Sequence, residues 1–597
     1  MVEQGARLTV LGRVLSILLI VALLGVGAWI VVRKNQASEE ASAARLAAER
    51  ASAAAHQNAG NPSGANPGAA PAAGQAESAQ SEAPDAASVT TVKEYKYIPA
   101  DRLPPVKGAS QYKWDANNKV LRFSYNVWSG WLPIIAANHG TKPSAESIFA
   151  KKYGFQVEMV LMDDPVAARD AFVAGDVHTL WGTVDMMALF AGQLVKDSRT
   201  APRIVQQIDW SDGGDGIVVR GKINTANELK GKTIALAQNS PSEYYLTSLL
   251  IAAGLKPADV NLKYTATAFE AAAAFVADKS INACVTWAPD IYNIPDRVAG
   301  TKILSSTEEA NKLIADVYAF RADFMRDHPE VVEGFVAAVF EGMDLVKESP
   351  DQACAWLADA FGMRPDDVKG MMGDAHPTNF AENVQFFLNE SNPANFERTW
   401  SNSSYVYREL GRIDAPVPFD NVVDFSVIKK LQAGGAFAGQ KDESVASFVP
   451  GRVFQGEDPK TVTQTIRINF YPNSANPYEQ ARDQYGTAIP GKLYDPNVDA
   501  TLEAVGRLAG QFGRCVILIE GHTDASMKGK VPEKAVTDLS TARAEAIKQA
   551  LIAKFKFDPD KFTVAGKGWS VPFDPTKADN HALNRRVEIS VYPPEQK

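Results

Sequence analysis

From about Lys113 onward, short apolar runs with strand character alternate with amphipathic helical runs. This alternation constrains the fold more than any other feature of the chain. KVLRFSYNV (119–127), FQVEMVLMD (155–163), TLWGTV (179–184), GIVVRG (216–221), KTIALAQ (232–238) and INACVTW (281–287) read as strands. ESIFAKKYG, DPVAARDAFVAG, SEYYLTSLLIAAG and AFEAAAAFVADK read as helices, three of them closed by glycine. Strand–helix alternation predicts an α/β fold with largely parallel sheets. Residues 309–375 read as mostly helical, and a Gly-rich break, AGGAFAGQ, follows at 433–440. Beyond it, RINFYPNS (467–474), CVILIE (515–520), KFTVAG (561–566) and RRVEISVY (585–592) read as strands, with helices near 498–511 and 538–555. These make a smaller α+β unit.

The N-terminal part has a different character. VLSILLIVALLGVGAWIVV, residues 14–32, is an uncharged run of 19 between Arg13 and the pair Arg33–Lys34. At about 1.5 Å per residue it can cross a hydrocarbon core of roughly 30 Å. Trp29 sits near one end, where interfacial aromatics are common. A cleavable signal with a cut near Val26-Gly27-Ala28 is the rival reading. The apolar run continues past that point into basic residues, which favours an uncut single-pass anchor in the inner (cytoplasmic) membrane. Basic residues flank both ends, so they do not set the orientation; the short N-terminal tail suggests that the bulk of the chain is exported to the periplasm. SEEASAARLAAERASAAA (38–55) suits a short helical stalk, with Arg45 and Glu49 able to pair at i,i+4. Residues 56–88 are rich in Ala, Pro, Gly, Ser and Gln without an aromatic, the composition of a tether. The expected division is anchor 1–34, stalk and tether 35–112, first folded domain 113–435, linker 436–459 and second folded domain 460–597.

Apolar residues make up 46% of the 597 and charged residues 22%, enough for sizeable cores. The net charge of −9 argues against a general nucleic-acid binder, which needs a basic face. Cys284, Cys354 and Cys515 are far apart and form no CxxC, and the seven histidines are scattered. HExxH, GxSxG and P-loop patterns are absent. A non-catalytic protein without metal or cofactor is expected.

YNVWSGWLPIIAANHG, NELKGKTIALAQNSPSEYYLTSLLIAAGLKPADVNL, ACVTWAPD and ADFMRDHPEVVEGFVAAV follow one another in an order that resembles the NMT1/THI5-like solute-binding family, the nitrate, sulfonate and taurine type. The resemblance covers about residues 113–435. It implies a two-lobed periplasmic-binding-protein fold, with solute held between lobes at the carboxyl ends of strands. Candidate solute contacts are Ser129, Gly130 and Trp131 after the first strand, and Thr183 and Asp185 after TLWG. Asn239, Ser240 and Ser242 follow KTIALAQ, where helix-start N–H groups can hold an anion. Trp287 and Asp290 follow INACVTW. Trp131 and Trp287 are also readable as core aromatics, Ser240 and Ser242 as caps, and Asp185 and Asp290 as caps or surface charges. Tryptophans with carboxylates suit a cationic amine. Serines at a helix start suit a carboxylate, sulfonate or phosphate, and a zwitterion satisfies both. The family includes a pyrimidine synthase, but its cysteine-rich motif is missing here.

ILIEGHTD, LSTARAEAIKQAL, VAGKGWSVP and NRRVEI resemble, in order and spacing, the OmpA-like C-terminal domain. This match covers about residues 460–593. The resemblance implies non-covalent binding of peptidoglycan. An acid and a guanidinium facing one pocket suit an amino acid: its carboxylate on the fork of Arg543, its ammonium on Asp524. In the family these positions hold the diaminopimelate of the stem peptide. Asn584 and Arg586 match the NRR motif, and Thr523 is expected to shape the turn. Leu539, Ala542, Ala546, Ile547, Ala550 and Leu551 form an apolar stripe at helical spacing, with Arg543 beside it. Val536 stands where the family often has asparagine, and 478–497 is longer than usual.

The whole order then reads as anchor, tether, solute-binding domain and wall-binding domain. A coil tether of some 55 residues spans roughly 40 Å root-mean-square. The partners implied are peptidoglycan, a small solute, the membrane, and a transporter of ABC type or a sensor. A stator-like motor anchor has the same order, but residues 14–32 contain no carboxylate for ion flow. A third reading is an envelope scaffold whose first domain lacks a ligand, which a hydrophobic cleft would favour.

Overall fold

The computed structural model describes residues 89–593, apart from 102, 445, 447 and 455–461. The apolar run 14–32, the stalk and the tether to residue 88 lie outside the described residues. Among the described residues no helix is long and apolar enough to cross a membrane.

All six strands expected in the first domain form, and they sort into two lobes. β1 (Val120–Tyr125), β2 (Gln156–Leu161), β3 (Thr179–Thr183) and β4 (Pro202–Ser211) build the first lobe. β5 (Asp215–Arg220), β6 (Thr233–Ala237), β7 (Asn261–Thr265), β8 (Ala283–Trp287) and β9 (Thr301–Ser306) build the second. The chain then returns to the first lobe with β10 (Ala315–Arg321) and β11 (Ala375–Pro377). The second sheet has the order β7-β6-β8-β5-β9, with β6 parallel to β7 and β8. In the first lobe β1 pairs with β2, and a second sheet runs β11-β4-β10-β3. The two are joined where the His178 N–H donates to the Arg122 carbonyl (2.9 Å) and the Ser124 hydroxyl to that of Thr179 (2.9 Å). The same strand order therefore recurs in both lobes.

The sheets are mixed rather than largely parallel. β10 runs antiparallel to β3 and β4, and β5 runs antiparallel to β8 and β9. Each lobe thus contains one strand that runs against its parallel set and adjoins a crossover to the other lobe. The two crossovers, 212–214 and 307–314, are tied together. Thr307 Oγ1 lies 2.8 Å from Ser211 Oγ and accepts from the Gly213 N–H at 2.9 Å. Residues 309–375 are mostly helical as read, and strand β10 is the exception. ADVYAFR is fully buried, with apolar residues throughout its central span, as a two-sided interior strand requires.

Helix starts follow local chemistry. Ser147, Asp164, Thr183 and Thr267 each accept a first-turn N–H. Gly175, at φ +76°, closes one helix beneath the incoming chain, and a Cβ there would stand 2.6 Å from the Gln111 carbonyl oxygen. That incoming chain belongs to a stretch expected within the tether. Residues 89–112 instead form a strap over both lobes. The Thr91 N–H and hydroxyl donate to Asp290 (2.8 and 2.9 Å), and the Ile98 N–H to the Tyr264 carbonyl (2.9 Å). Arg169 and Arg321 reach the carbonyls of Pro104 and Ser110, both at 2.8 Å. The expected linker also packs in part: Asn379 and Lys312 donate to the Lys441 carbonyl and the Ser444 hydroxyl.

The last domain adds β12 (Val462–Ile466), β13 (Gln480–Arg482), β14 (Ala488–Leu493), β15 (Val516–His522), β16 (Phe562–Gly568) and β17 (Arg586–Tyr592). Its main sheet runs β12-β17-β15-β16, with β15 parallel to β16 and β17 antiparallel to β15 and β12. The strand read at 467–474 lies earlier, at β12. The helix Glu533–Phe555 buries Val536, Ser540, Arg543, Ala544, Ile547, Leu551 and Phe555. The buried stripe is thus rotated from the expected one: Ala542 is exposed, and Arg543 lies within the stripe.

This domain docks on the crossovers of the first. Arg514 grips Asp212 with two bonds of 2.5 Å, and the Lys312 N–H donates to the Gln511 carbonyl (3.1 Å). Gly510 and Gly513 allow the approach, since a Cβ on either would meet Pro393 at 2.9 Å or Asn311 at 2.7 Å.

Candidate functional sites

The first candidate site lies between the lobes. After β1 the chain makes a short turn, Ser129–Trp131. The Ser129 hydroxyl is buried and makes no hydrogen bond. Gly130 has no room for a side chain: a Cβ would stand 1.8 Å from Asp209 Oδ2 and 2.5 Å from Trp128 Nε1. Trp131 is a core residue, its indole donating to Asn126 (2.8 Å) and packing edge-on to Phe123. Its neighbour Trp128 takes the place expected for it. The Trp128 indole points its N–H at the Asp209 carboxylate, 3.4 Å from both oxygens, and its ring covers Gly214.

Thr183 caps the helix Val184–Leu194 through the Met186 N–H (3.4 Å). Asp185 sits in the first turn of that helix, fully buried. Its Oδ2 accepts from the Tyr407 hydroxyl (3.0 Å) and its Oδ1 has no partner. Burial pushes this carboxyl up to about 7. From the second lobe, Asn239 adopts a left-handed turn (φ 58°) after β6. Its N–H donates to Glu243 (2.9 Å) and its side-chain Oδ1 has no partner. Ser240 donates to the Ala237 carbonyl (3.0 Å) and caps nothing, while the buried Ser242 hydroxyl is unpartnered. Trp287 meets Phe269 edge-on, with its indole N–H unpartnered. Asp290 is engaged by the strap through Thr91.

Tyr407 was not signalled by the sequence pattern. It comes from the distant helix Phe396–Glu409, and its hydroxyl lies 3.0 Å from Asp185 in one lobe and 3.4 Å from the Ser240 carbonyl in the other. Three further carboxylates were missed as well. Asp209 and Asp316 are cross-strand neighbours on β4 and β10. Asp215 is paired in register with Trp287 and accepts from Ser211 (2.7 Å). Burial raises all three, with each other's charge adding to it in Asp316. The one usable signal was IDWS in a run otherwise rich in β-formers, an acid where a buried strand has no need of one.

The second candidate site is a cavity of about 310 Å³ in the last domain. It is lined by Arg543, Arg585 and Arg586 with Phe470, Tyr494 and His522, among others. Arg543 is 9% exposed, lies over the Phe470 ring at 4.9 Å and donates from Nε to the Ser474 carbonyl (3.1 Å). Among the described residues no hydrogen bond uses its two terminal nitrogens, which leaves the fork open. Burial, with Arg585 alongside, lowers its ordinary value.

Asp524 does not pair with Arg543. It accepts from the Ser526 N–H (2.7 Å) and stands 3.3 Å from both Arg585 Nε and His581 Nδ1. Burial opposes its charge, but Ser526, Arg585 and His581 outweigh that and hold the carboxyl below its usual range. Arg586 pairs with Glu588 (2.7 Å) while its Nη1 remains unpartnered. Asn584 is a loop clasp: it accepts from the Phe573 N–H and donates to the carbonyls of Lys577, Ala578 and Asn580. The Thr523 hydroxyl is buried without a partner, and its N–H donates to the Gly568 carbonyl (2.8 Å). Arg585, passed over in the sequence as the adjacent member of NRR, is the arginine at Asp524. The long 478–497 segment forms the β13–β14 hairpin and contributes Tyr494 to the cavity.

A two-lobed binding fold followed by a small α+β domain with a basic cavity defines the class of protein. Residues 215–353 match the family model described as NMT1/THI5 like, and residues 492–586 that of the OmpA family. The chain thus joins an NMT1/THI5-like domain to an OmpA-family domain. It is 27% identical over 238 residues to the taurine-binding periplasmic protein of Escherichia coli (strain K12), covering 38% of this chain and 71% of that protein. It is 32% identical over 127 residues to outer membrane protein Omp38 of Acinetobacter baumannii, covering 21% of this chain and only 30% of Omp38. The solved periplasmic aliphatic sulphonate binding protein SsuA from Escherichia coli aligns with a TM-score of 0.41 at 18% identity, over 51% of this chain and 96% of that one.

Proposed function

We propose that this is a non-catalytic envelope protein that captures a small solute between its two lobes and grips peptidoglycan through its last domain. The observation that carries the wall-binding half is Arg543, whose guanidinium lies in a cavity with its fork unused. The carboxylate of a diaminopimelate stem peptide would take that fork. Its ammonium would take Asp524, displacing Arg585 and His581. Thr523, Asn584 and Arg586 then act as supports that shape the turn, the neighbouring loop and the cavity wall. The solute-binding half is supported by the polar atoms of Ser129, Asp185, Asn239, Ser242 and Trp287, all buried and all without partners. Unmade bonds of this kind are costly, and a ligand that makes them binds with that cost returned. The cleft is polar, which speaks against an empty scaffold.

In this reading residues 14–32 anchor the chain in the inner membrane, and the solute passes to a membrane transporter or sensor. The domain limits are 113–435 for solute binding, with residues 89–112 as a strap, and 460–597 for wall binding. The test is sedimentation of the full chain with diaminopimelate-containing peptidoglycan, beside Asp524→Ala and Arg543→Ala. Binding by the parent chain and loss in both variants is the expected result. A parent chain that stays in the supernatant would sink the wall-binding reading.

A further inference from the structure

The cleft contains four buried carboxylates and no paired base. Asp209 and Asp316 lie side by side across β4 and β10, and β10 places Thr183 on the other side of Asp316. Asp185 follows two residues after Thr183, and Asp215 begins β5 opposite Trp287. All four are at most 5% exposed. Among the described residues no Lys or Arg makes an ion pair with any of them. Arg412, which reaches the rim of the second lobe, is taken by Glu243 at 2.7 Å, and His376 is taken by Glu382 at 2.6 Å. Four like charges cannot share so small a space unless protons or a ligand cation compensate them.

An independent set of atoms points to the ligand. Among the described residues, Asp185 Oδ1 and Asn239 Oδ1 are buried acceptors that receive no well-aligned hydrogen bond, one from each lobe. Tyr407 holds Asp185 of one lobe and the carbonyl of Ser240, next to Asn239, in the other within reach of a single hydroxyl, so the two residues meet where the lobes face each other. The Ser129 hydroxyl, beside Gly130 and Asp209, is also free. Two indoles lie beside these carboxylates: Trp128 directs its N–H at Asp209, and Trp287 is the cross-strand neighbour of Asp215. Waiting acceptors, carboxylates and indole rings together describe a site for N–H donors that bear positive charge.

We infer that the cleft selects its solute by a small primary ammonium group, bound between Asp185 of the first lobe and Asn239 of the second, and that an anionic group on the solute is dispensable. The inference rests on the solute-binding reading above and sharpens it to a chemical class. The unpartnered Trp287 indole N–H and Ser242 hydroxyl then serve a neutral acceptor at the other end of the solute.

Three two-carbon probes separate the charges: ethanolamine carries only the ammonium, taurine carries ammonium and sulfonate, and isethionate carries only the sulfonate. Each is titrated at millimolar concentration into the full chain by calorimetry, with thermal shift as a second readout. Ethanolamine and taurine should bind and isethionate should not. Asp185→Asn should weaken the two amines roughly 10- to 100-fold, the usual range for a lost charged hydrogen bond. That variant keeps an acceptor for Tyr407 and removes a costly buried charge, so its melting temperature should not fall. Ser129→Ala gives a second, milder variant with a smaller loss. Isethionate binding without ethanolamine binding would overturn the ammonium assignment and leave solute capture standing. Failure of all three probes would overturn both.

Discussion

The two candidate sites are built in opposite ways. The candidate solute site is buried and acidic, and among the described residues several of its polar atoms make no hydrogen bond. The cavity of the last domain is open and basic, and Asp524, paired with the lining residue Arg585, is already engaged by Arg585 and His581. A site that swallows a small molecule can afford to hide unsatisfied groups, because the ligand satisfies them from all sides. A site that reads a side branch of a polymer must stay open, and in an open site stray charges find local partners. The difference explains why the first site shows itself through missing hydrogen bonds and the second through an unused guanidinium fork.

The largest effect is expected where the two regions differ in what a glycine touches. In Gly521→Ala the new Cβ would stand 2.1 Å from the Ser540 carbonyl oxygen, part of the helix Glu533–Phe555. That backbone cannot step aside, so the loss should reach or exceed the top of the usual overpacking range of about 1–3 kcal/mol. In Gly130→Ala the Cβ meets side-chain atoms of Asp209 and Trp128, which can turn. Its stability loss should be smaller, while solute binding should disappear. Denaturant melts of the full chain, with calorimetry for binding, would separate the two. Equal stability losses would break the comparison.

Arg543→Lys ranks next. Lysine keeps the charge but loses the planar fork, so peptidoglycan sedimentation should weaken roughly 10- to 100-fold. Amine binding in the cleft should not move, and a change there would mean that the two sites are not separable.

The third test uses pH, because the two regions should respond with opposite sign. Asp185, Asp215 and Asp374 are each pushed up to about 7 by burial, and Asp209 and Asp316 are raised in the same way. The unfolded carboxyl titrates near 3.9. Between these values the folded state binds more protons, so stability is full below about 4 and falls as pH rises through about 7. His376, held up by Glu382 against its burial, acts in the same direction. Asp524 is depressed, so its contribution is present above the ordinary carboxyl range and is lost as pH falls. The transition of the solute domain should therefore come at lower temperature at pH 8 than at pH 5.5, and ethanolamine should reduce that gap. A transition that rises with pH would show that the cleft acids are not buried as carboxyls.

Much of the architecture was legible because it rests on local pattern. The six apolar-rich runs of the first domain became strands, and GHTD with the long helix located the cavity. What escaped was polar or distant. β4, with Arg203, Gln206, Gln207 and Asp209, does not look like a buried strand, yet each polar group has its own partner: Arg203 donates to the Asn421 carbonyl, Gln206 accepts from the Tyr318 hydroxyl, Gln207 donates to the Asp209 carbonyl and Asp209 accepts from the Trp128 indole. β10 hides within a helical stretch because a strand buried on both sides has no alternation to read. Tyr407 reaches the cleft from 222 residues beyond Asp185 and 167 beyond Ser240, which no local rule can anticipate. Trp131 and Trp128 show the limit most simply. They are three residues apart in one turn, and the backbone decides which faces the core. In NRR, likewise, the choice between Arg585 and Arg586 follows the alternation of β17, whose start fixes which arginine points inward.

That last choice yields the smallest expected effect and the most diagnostic one. Arg585 is a rim residue with a side chain 60% exposed, paired to Asp524 at 3.3 Å. An ion pair this open contributes about 0–1 kcal/mol, so Arg585→Ala should leave stability nearly unchanged. Its effect on peptidoglycan binding depends on what Asp524 does. If Asp524 takes the ligand ammonium, Arg585 is a competitor that must first be displaced, and its removal should leave affinity the same or raise it a few-fold. If Arg585 itself receives the ligand carboxylate, its loss should weaken binding by more than about tenfold, as a charged hydrogen bond would. Sedimentation of Arg585→Ala beside Arg543→Ala therefore decides which arginine holds the acid end of the stem peptide. A large loss only in Arg543→Ala would leave the assignment as proposed, whereas a large loss in both would make the cavity a two-arginine clamp.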